Sequence, residues 1–254
     1  MKACLFVDGE NFRHSIVELF PNFHQEDYLP KTANWTILFD WIVQNAVEGA
    51  ERIRTYWYVI KTLDFFPYHF PDIGKEQKLL IDLMSKHEPY KQQLNSLTGN
   101  ALVTRLSEMV NELKTRKAAL QTRFNGWTVI QDGICLRHKA IEFRRAGAMK
   151  CNLFENSLGR EKAVDVKLAA DMIMLKDIYD FAVIITGDQD YVPAVEVLKD
   201  CGKRVVSVAF RTRGGRVLPG GARRLNQVAD WRFNIPYATL AEHLQVSQLS
   251  LPSQ

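Results

Sequence analysis

Along this chain, short apolar runs alternate with longer segments whose apolar residues recur at helical spacing. Residues 2–7, 181–186 and 205–210 are short and almost wholly apolar, a pattern typical of strands buried on both faces of a parallel sheet. Residues 53–60 are rich in β-branched and aromatic side chains and predict another strand. Helical spacing predicts helices over residues 34–48, 163–176 and 192–200. The alternation predicts an α/β fold with a mainly parallel central sheet and helices on both faces.

Residues 61–125 interrupt this alternation. They begin with aromatic and proline residues between positions 65 and 71 and continue with two helical patterns. Six apolar residues of the second pattern recur at steps of three or four and form one face of a charged helix: Leu102, Leu106, Met109, Val110, Leu113 and Leu120. We therefore expect one domain over residues 1–245 with a helical hairpin inserted at 61–125, and a flexible tail at 246–254. Residues 127–131, 134–137 and 141–145 alternate and predict short strands.

The start of the chain and the cysteines indicate the cellular setting. The apolar run before Asp8 is too short for a signal peptide or a membrane span. The four cysteines show no spacing typical of a zinc site, and we expect them to be reduced thiols. We expect a soluble, cytoplasmic protein that has no membrane partner.

Positive charge is concentrated in two segments. Residues 137–160 contain six basic and two acidic residues, and residues 203–224 contain seven basic residues and no acid. Lysine and arginine displace the counterions of a nucleic-acid backbone, so these segments are candidates for contacts with phosphates. Solvated loops would explain the charge alone equally well.

Acidic residues stand where strands end or helices begin. Asp8 ends the first strand, Asp188 and Asp190 follow strand 181–186, and Asp165 starts a helix. Ligands of open parallel sheets bind beyond the carboxyl ends of the strands. Taken singly, Asp8 fits a strand-end turn, and Asp188 and Asp190 fit the first turn of a helix. Taken together, these carboxylates would repel one another unless a cation neutralised them, and oxygen ligands favour Mg²⁺ or Mn²⁺.

Three sequence blocks in the same order resemble the NYN family of PIN-like nucleases, in its LabA-like branch. The blocks are FVDGENF at 6–12, EKAVDVKLAADM at 161–172 and IITGDQDYVPAVEVLKDCGKRVVSV at 184–208. The family's acidic and polar positions are occupied here by Asp8, Asn11, Lys162, Asp165, Asp188 and Asp190. Four positions depart from the family pattern: Ala163 replaces Gly, Thr186 replaces Ser, Gln189 replaces Ser, and Tyr191 replaces Phe.

The resemblance implies a PIN-like (Rossmannoid) fold and cleavage of RNA, most readily single-stranded, that depends on Mg²⁺ or Mn²⁺; single-stranded DNA is a second possible substrate. It implies that Asp8, Asp165 and Asp188 hold the ion, with Asp190 binding directly or through water. For Asn11 it implies orientation of Asp8 or contact with substrate. For Lys162 it implies contact with the scissile phosphate or neutralisation of Asp165. Asp171, farther along the helix of Asp165, is expected to be a solvated acid, with support of the metal ligands as the alternative.

The basic segments would then form the RNA track. Arg211, Arg213 and Arg216 follow a strand's carboxyl end, on the same edge as the acids. A second wall would contain Arg144, Arg145 and Lys150. The alternative to a nuclease is a catalytically inactive RNA-binding or regulatory module with the same fold. The apolar face of the insertion also suits a homodimer contact, which is compatible with either function.

Overall fold

The computed structural model describes residues 1–21, 29–30, 33–155, 157–220 and 222–245; the predicted tail lies outside them. Its strands are β1 Lys2–Asp8, β2 Glu51–Phe66, β3 Ile141–Asn152, β4 Ser157–Lys162, β5 Phe181–Ile185, β6 Arg204–Arg211, β7 Val217–Leu218 and β8 Trp231–Ile235. Its helices are α1 Gly9–Leu19, α2 Trp35–Ala46, α3 Gln77–Ser85, α4 Glu88–Leu94, α5 Gly99–Arg137, α6 Val164–Met174, α7 Val192–Asp200, α8 Arg223–Val228 and α9 Tyr237–His243. Short 3₁₀ turns span Lys176–Ile178 and Gln189–Tyr191.

The chain divides into two compact units. The first unit contains Met1–Lys61, Trp127–Gly147 and Ala163–Gln254, and the second contains Thr62–Gly126 and Ala148–Lys162. In the second unit α3 and α4 accompany most of α5, and β4 pairs antiparallel with the end of β3. The extents predicted for the single domain and its insertion, 1–245 and 61–125, stay predictions.

The sheet of the first unit is centred on β1. This strand pairs in parallel with β2 on one side and with β5 on the other. Beyond β5 lies β6, also parallel, which pairs in parallel with β8 and antiparallel with the short β7. Every residue of β1 from Ala3 onward and every residue of β5 is buried, as the apolar runs predicted. The predicted α/β class, with a mainly parallel sheet and helices on both faces, is confirmed.

Aromatic side chains fix α1 and α2 against β2. The ring of Trp57 in β2 lies 5.3 Å from that of Phe12 in α1 and 5.1 Å from that of Trp35 in α2, measured between centroids, with edge-to-face geometry. Such pairs add about 0.5–1.5 kcal/mol each to the free energy gained by burying their area. Asn34 caps α2 by accepting the backbone N–H of Ile37 at 3.1 Å through its side-chain oxygen. Elsewhere in the sheet, α6 packs on β1 and α7 on β6.

The prediction of two strands within residues 127–137 is wrong, because α5 continues to Arg137. The buried side chains in this part of α5 are Trp127, Gln131 and Ile134. Their spacing of four and three residues is that of one helix face, which local alternation of apolar residues had obscured. Only the third predicted strand exists, and it extends from Ile141 to Asn152 as β3.

The apolar face predicted on α5 is turned inward. Its central residues Leu106, Met109, Val110 and Leu113 are buried within the chain itself. They are therefore not available to a second copy, and the predicted homodimer stays a prediction that would need other contacts. Among the helices in the described part of the chain, none is long and apolar enough to cross a membrane.

Candidate active site

Asp8 lies at the centre of the candidate site, at the carboxyl end of β1 and the N-cap of α1. One carboxylate oxygen, Oδ1, accepts the backbone N–H of Asn11 at 3.1 Å. The other, Oδ2, accepts the Asn11 amide at 2.6 Å and the Thr186 hydroxyl at 2.9 Å. The side chain is fully buried, so these donors replace the water that it loses on folding. The first and third sequence blocks thus meet at this carboxylate.

Gly9 allows α1 to begin directly beside β2. A Cβ atom at this position would lie 2.3 Å from the backbone carbonyl oxygen of Tyr58, a contact that no side chain tolerates without movement of the backbone. The glycine after Asp8 therefore has a packing role. Because Asp8 is both the last residue of β1 and the N-cap of α1, the helix must begin at the next residue, and a glycine there fits against β2.

The loop after β5 carries the next two acids. Thr186 also accepts the backbone N–H of Asp188 at 3.1 Å, which connects this loop to Asp8 through one hydroxyl group. Asp188 is half-buried and caps the 3₁₀ turn by accepting the backbone N–H of Asp190 at 2.9 Å. Asp190 is exposed. The capping role that fits Asp188 taken singly is therefore present, and it places both acids at the same strand end as Asp8.

Tyr191 brings Asp165 to the same place. Its hydroxyl oxygen lies 2.9 Å from Oδ1 of Asp165, in the first turn of α6, and 3.4 Å from Oδ2 of Asp8. A phenol has one hydrogen, so it donates to one of these carboxylates at a time. Tyr191 is buried, and its replacement of a phenylalanine in the family pattern was the only sign in the sequence of this contact.

Burial and neighbouring charges raise the pKa of several groups in the site. Burial raises the pKa of Asp8 to about 6, against the opposing effect of its hydrogen bonds from Asn11 and Thr186. Burial also raises the pKa of Asp165, and the charges of Asp188 and Asp190 raise it further. The pKa of Tyr191 is raised by burial and by the neighbouring carboxylates, so its hydroxyl keeps its proton. These directions are those expected where several carboxylates share a poorly solvated place.

The donor chemistry of these residues suits a hard divalent cation. All four acids offer carboxylate oxygens, and a cation would offset both the burial that raises the pKa of Asp8 and Asp165 and the mutual repulsion that raises it further. Within the described ranges, no three His, Cys, Asp or Glu side chains are already grouped closely enough to hold an ion. The site therefore fits a cation by its chemistry, and the side chains would have to draw together around it.

Asp171 is not the solvated acid that was expected. It is buried, and its Oδ2 accepts Arg144 Nη1 at 2.5 Å and the Tyr58 hydroxyl at 3.1 Å, while Oδ1 accepts Lys167 Nζ at 2.7 Å. Burial alone would raise the pKa of Asp171, but the bonds and charges of Lys167 and Arg144 outweigh it and hold that pKa below its usual value. The expectation failed because the spacing of residues along a helix does not show that a basic side chain of β3, Arg144, packs against it.

The predicted RNA-binding arginines differ in whether they already form ion pairs with carboxylates of the chain. Arg144 is held by Asp171 and by Glu142, with its guanidinium 4.2 Å from the ring centroid of Tyr56. Arg145 is paired with Asp132 at 2.5 Å. These ion pairs compete with any phosphate, so both residues are weaker candidates than their charge suggested.

The segment after β6 is more accessible. Arg211 and Arg213 are exposed, and the guanidinium of Arg213 lies 4.5 Å from the ring centroid of Tyr237. Arg216 is exposed and forms an ion pair with Glu18. Their predicted contacts with RNA stay predictions.

Two predicted lysines belong to the second unit. Lys162 is the exposed last residue of β4 and pairs with Ala148 of β3. Lys150 lines a cavity of about 350 Å³ beside Phe66 and Tyr68, whose side chains are exposed. The predicted roles of these lysines toward RNA stay predictions.

Comparison with known proteins supports the family resemblance. A family model of the NYN domain matches residues 79–233, which include the second and third sequence blocks and not the first. No curated protein matches the chain. Among solved structures, a protein of unknown function from Vibrio parahaemolyticus RIMD 2210633 is similar, with 14% sequence identity, a TM-score of 0.43 and coverage of 92% of each chain.

Proposed function

Because this chain belongs to the NYN domain family, we propose that it is a divalent-metal-dependent ribonuclease that hydrolyses phosphodiester bonds of single-stranded RNA. The observation that carries the proposal is the convergence of acids from three separate segments at one strand end. Asp8 and Asp165 lie against the same Tyr191 hydroxyl, and Asp188 and Asp190 raise the pKa of Asp165. A protein that only bound RNA would gain nothing from acids placed beside phosphate.

Asp8, Asp165 and Asp188 would hold Mg²⁺ or Mn²⁺, with Asp190 binding directly or through water. The chemistry that such a cation supplies is Lewis-acid polarisation of a phosphodiester oxygen and activation of water. The chain's own residues orient the carboxylates. Asn11 and Thr186 fix the plane of the Asp8 carboxylate, and the Tyr191 hydroxyl holds Asp165.

Direct ligation through Oδ2 of Asp8 would require that oxygen to release a donor, whereas Oδ1 accepts one hydrogen bond within the described part of the chain and keeps a lone pair for a cation. The two carboxylate oxygens of Asp8 carry three hydrogen bonds of 3.1 Å or shorter and the longer Tyr191 contact at 3.4 Å. The longest of these contacts is the weakest, so the Tyr191 hydroxyl is the group expected to move away from Asp8 and remain with Asp165.

The hydrogen bonds of Asp8 also favour a second candidate, an RNA-binding or regulatory module without catalysis. A buried carboxylate whose two oxygens both accept hydrogen bonds is stabilised without a cation. The two candidates agree on RNA and differ only in whether the strand is cut.

Incubation of the protein with end-labelled single-stranded RNA in Mn²⁺, Mg²⁺ or EDTA separates the two candidates. We expect cleavage with metal, none in EDTA, and a decrease of at least about a hundredfold in rate for Asp188→Asn, the scale of removing one group that stabilises a transition state. The matched control is Asp177→Asn, which makes the same chemical change at an acid whose side chain is 81% exposed. A DNA strand of the same sequence tests the alternative substrate.

Metal binding gives an independent measurement. Mn²⁺ at about 100 times its dissociation constant would stabilise the folded chain by about 2.7 kcal/mol, and the thermal midpoint should rise in the parent and in Asp177→Asn but not in Asp188→Asn. RNA that is bound but intact with every metal would replace the nuclease proposal with the binding module.

A further inference from the structure

A cavity in the first unit lies beside the loop that carries Asp188 and Asp190. It has a volume of about 590 Å³, and its lining includes Pro219, Gly220, Arg223, Asn226, Gln227 and Arg232. These residues come from the segment after β7, from α8 and from β8. A cavity of this size accommodates a group as large as a nucleotide.

Close backbone packing joins this cavity to the loop that carries the acids. A Cβ atom on Gly187 would lie 2.6 Å from Pro219 Cβ and 2.8 Å from the carbonyl oxygen of Gly220. Gly187 therefore packs directly on the cavity's wall and is followed at once by Asp188. Helix α8 also packs against the 3₁₀ turn that contains Asp190. A chain bound at the acids would have to pass only a short distance to reach the cavity.

The cavity's lining contains two arginines and no acid. Arg223 and Arg232 are both exposed, and neither forms an ion pair with any carboxylate of the described residues. They differ in this respect from Arg144, Arg145 and Arg216, whose guanidinium groups are already occupied. An unpaired guanidinium at a cavity wall is a strong donor for a phosphate because it carries several N–H groups in one plane.

Asn226 adds a further donor. Its side-chain oxygen accepts the hydroxyl of Ser207 at 2.8 Å, and Ser207 is a buried residue of β6. With the amide oxygen turned to Ser207, the amide nitrogen is the end left to serve a ligand. Two guanidinium groups and one amide nitrogen together form a set of donors, and the chemical partner of such a set is an oxyanion.

We propose that this cavity, defined by Arg223, Asn226 and Arg232, binds a backbone phosphate of the RNA that flanks the scissile bond, together with its nucleotide. The identity of the anion rests on the proposed function, because the adjacent acids are placed to act on a phosphodiester. The cavity would bind the RNA at a second place outside the acidic site. This contact would determine which phosphodiester lies beside the acids.

The test is RNA binding without cleavage. Fluorescence anisotropy of a labelled single-stranded RNA in EDTA is measured for the parent, Arg223→Gln and Arg232→Gln, with Arg224→Gln as the matched control. Arg224 is exposed and adjacent in α8 but does not line the cavity. We expect each pocket variant to bind about tenfold more weakly, as for removal of a charged hydrogen bond. The plot of log K against log salt concentration should become shallower by about 0.7 for each phosphate that a variant no longer binds.

The control variant carries the same change of net charge, so we expect less than about a twofold effect from it. Equal weakening in Arg224→Gln and the pocket variants would overturn the proposal, since it would show a general effect of charge. The two proposals fail differently. A parent protein that cleaves RNA while the pocket variants behave like Arg224→Gln overturns only the pocket, whereas a parent that neither binds nor cleaves RNA overturns both.

Discussion

Replacing Asp171 with asparagine tests the buried ion pair that connects α6 to the sheet. Asparagine keeps the shape of the side chain and removes its charge, so it leaves Arg144 with an amide where it had a carboxylate. The Asp171 side chain is 3% exposed and that of Arg144 20%, whereas Lys167 is 46% exposed. The Arg144 contact is therefore poorly screened, and the Lys167 contact is largely screened by solvent.

The size of the effect follows from these exposures. A charged hydrogen bond in a poorly solvated place is worth about 1.5–3 kcal/mol, and an exposed pair adds about 0.5 kcal/mol. Glu142 still accepts Nε of Arg144 at 2.9 Å, so the guanidinium is not left alone. We expect Asp171→Asn to lower the free energy of unfolding by about 2–3 kcal/mol, which corresponds to about 5–10 °C in the thermal midpoint.

The assay is urea unfolding followed by tryptophan fluorescence, with Lys167→Gln as the control for the exposed partner. The control should be destabilised by no more than about 0.5–1 kcal/mol. A destabilisation below about 0.5 kcal/mol in Asp171→Asn would refute the reasoning, because it would mean that desolvation cancels the pair. The same measurement also tests how firmly Asp165 is positioned, because Asp165 lies on α6, the helix that the Asp171–Arg144 pair connects to β3.

The pH dependence of this pair has a definite sign. The pKa of Asp171 is lowered in the folded chain, so the folded state binds fewer protons at this group than the unfolded state. Its stabilisation is complete above the ordinary aspartate pKa of about 3.9 and is lost as the pH falls through the lower folded value. The difference in stability between parent and Asp171→Asn should therefore be constant near neutrality and shrink in strong acid.

Three further substitutions test single features around the acids, each by urea unfolding. Ala163→Gly should stabilise the chain by about 0.5–1 kcal/mol, because Ala163 has a φ of 72°, where glycine is not strained; a decrease in stability would contradict this. Gly187→Ala should cost about 1–3 kcal/mol through its clash with Pro219, and an unchanged midpoint would show that the loop can yield. Thr186→Val removes the hydroxyl donor to Asp8, which should cost about 1–3 kcal/mol and slow RNA cleavage, whereas full activity would show that Asp8 needs no such support.

The amino-acid sequence determined the elements that depend on neighbours in the chain. The apolar runs of β1, β5 and β6 and the cap at Asn34 follow from the local sequence, and so does the position of each acid at a strand end or a helix start. Such features need only the period of a strand or helix, which is written in consecutive residues. The same reliance on local pattern produced the wrong strands at 127–137, where the buried face had a helical period instead.

Only the tertiary structure decided which side chains meet. The parallel order of β2, β1, β5 and β6 brings Thr186 to Asp8 across 178 residues of sequence. Packing of α6 near β3 joins Arg144 to Asp171, a pair whose members the sequence had assigned to RNA and to solvent. The reason is that hydrogen bonds and ion pairs depend on distances of about 3 Å, and the distance between residues far apart in sequence is set by sheet order and helix packing.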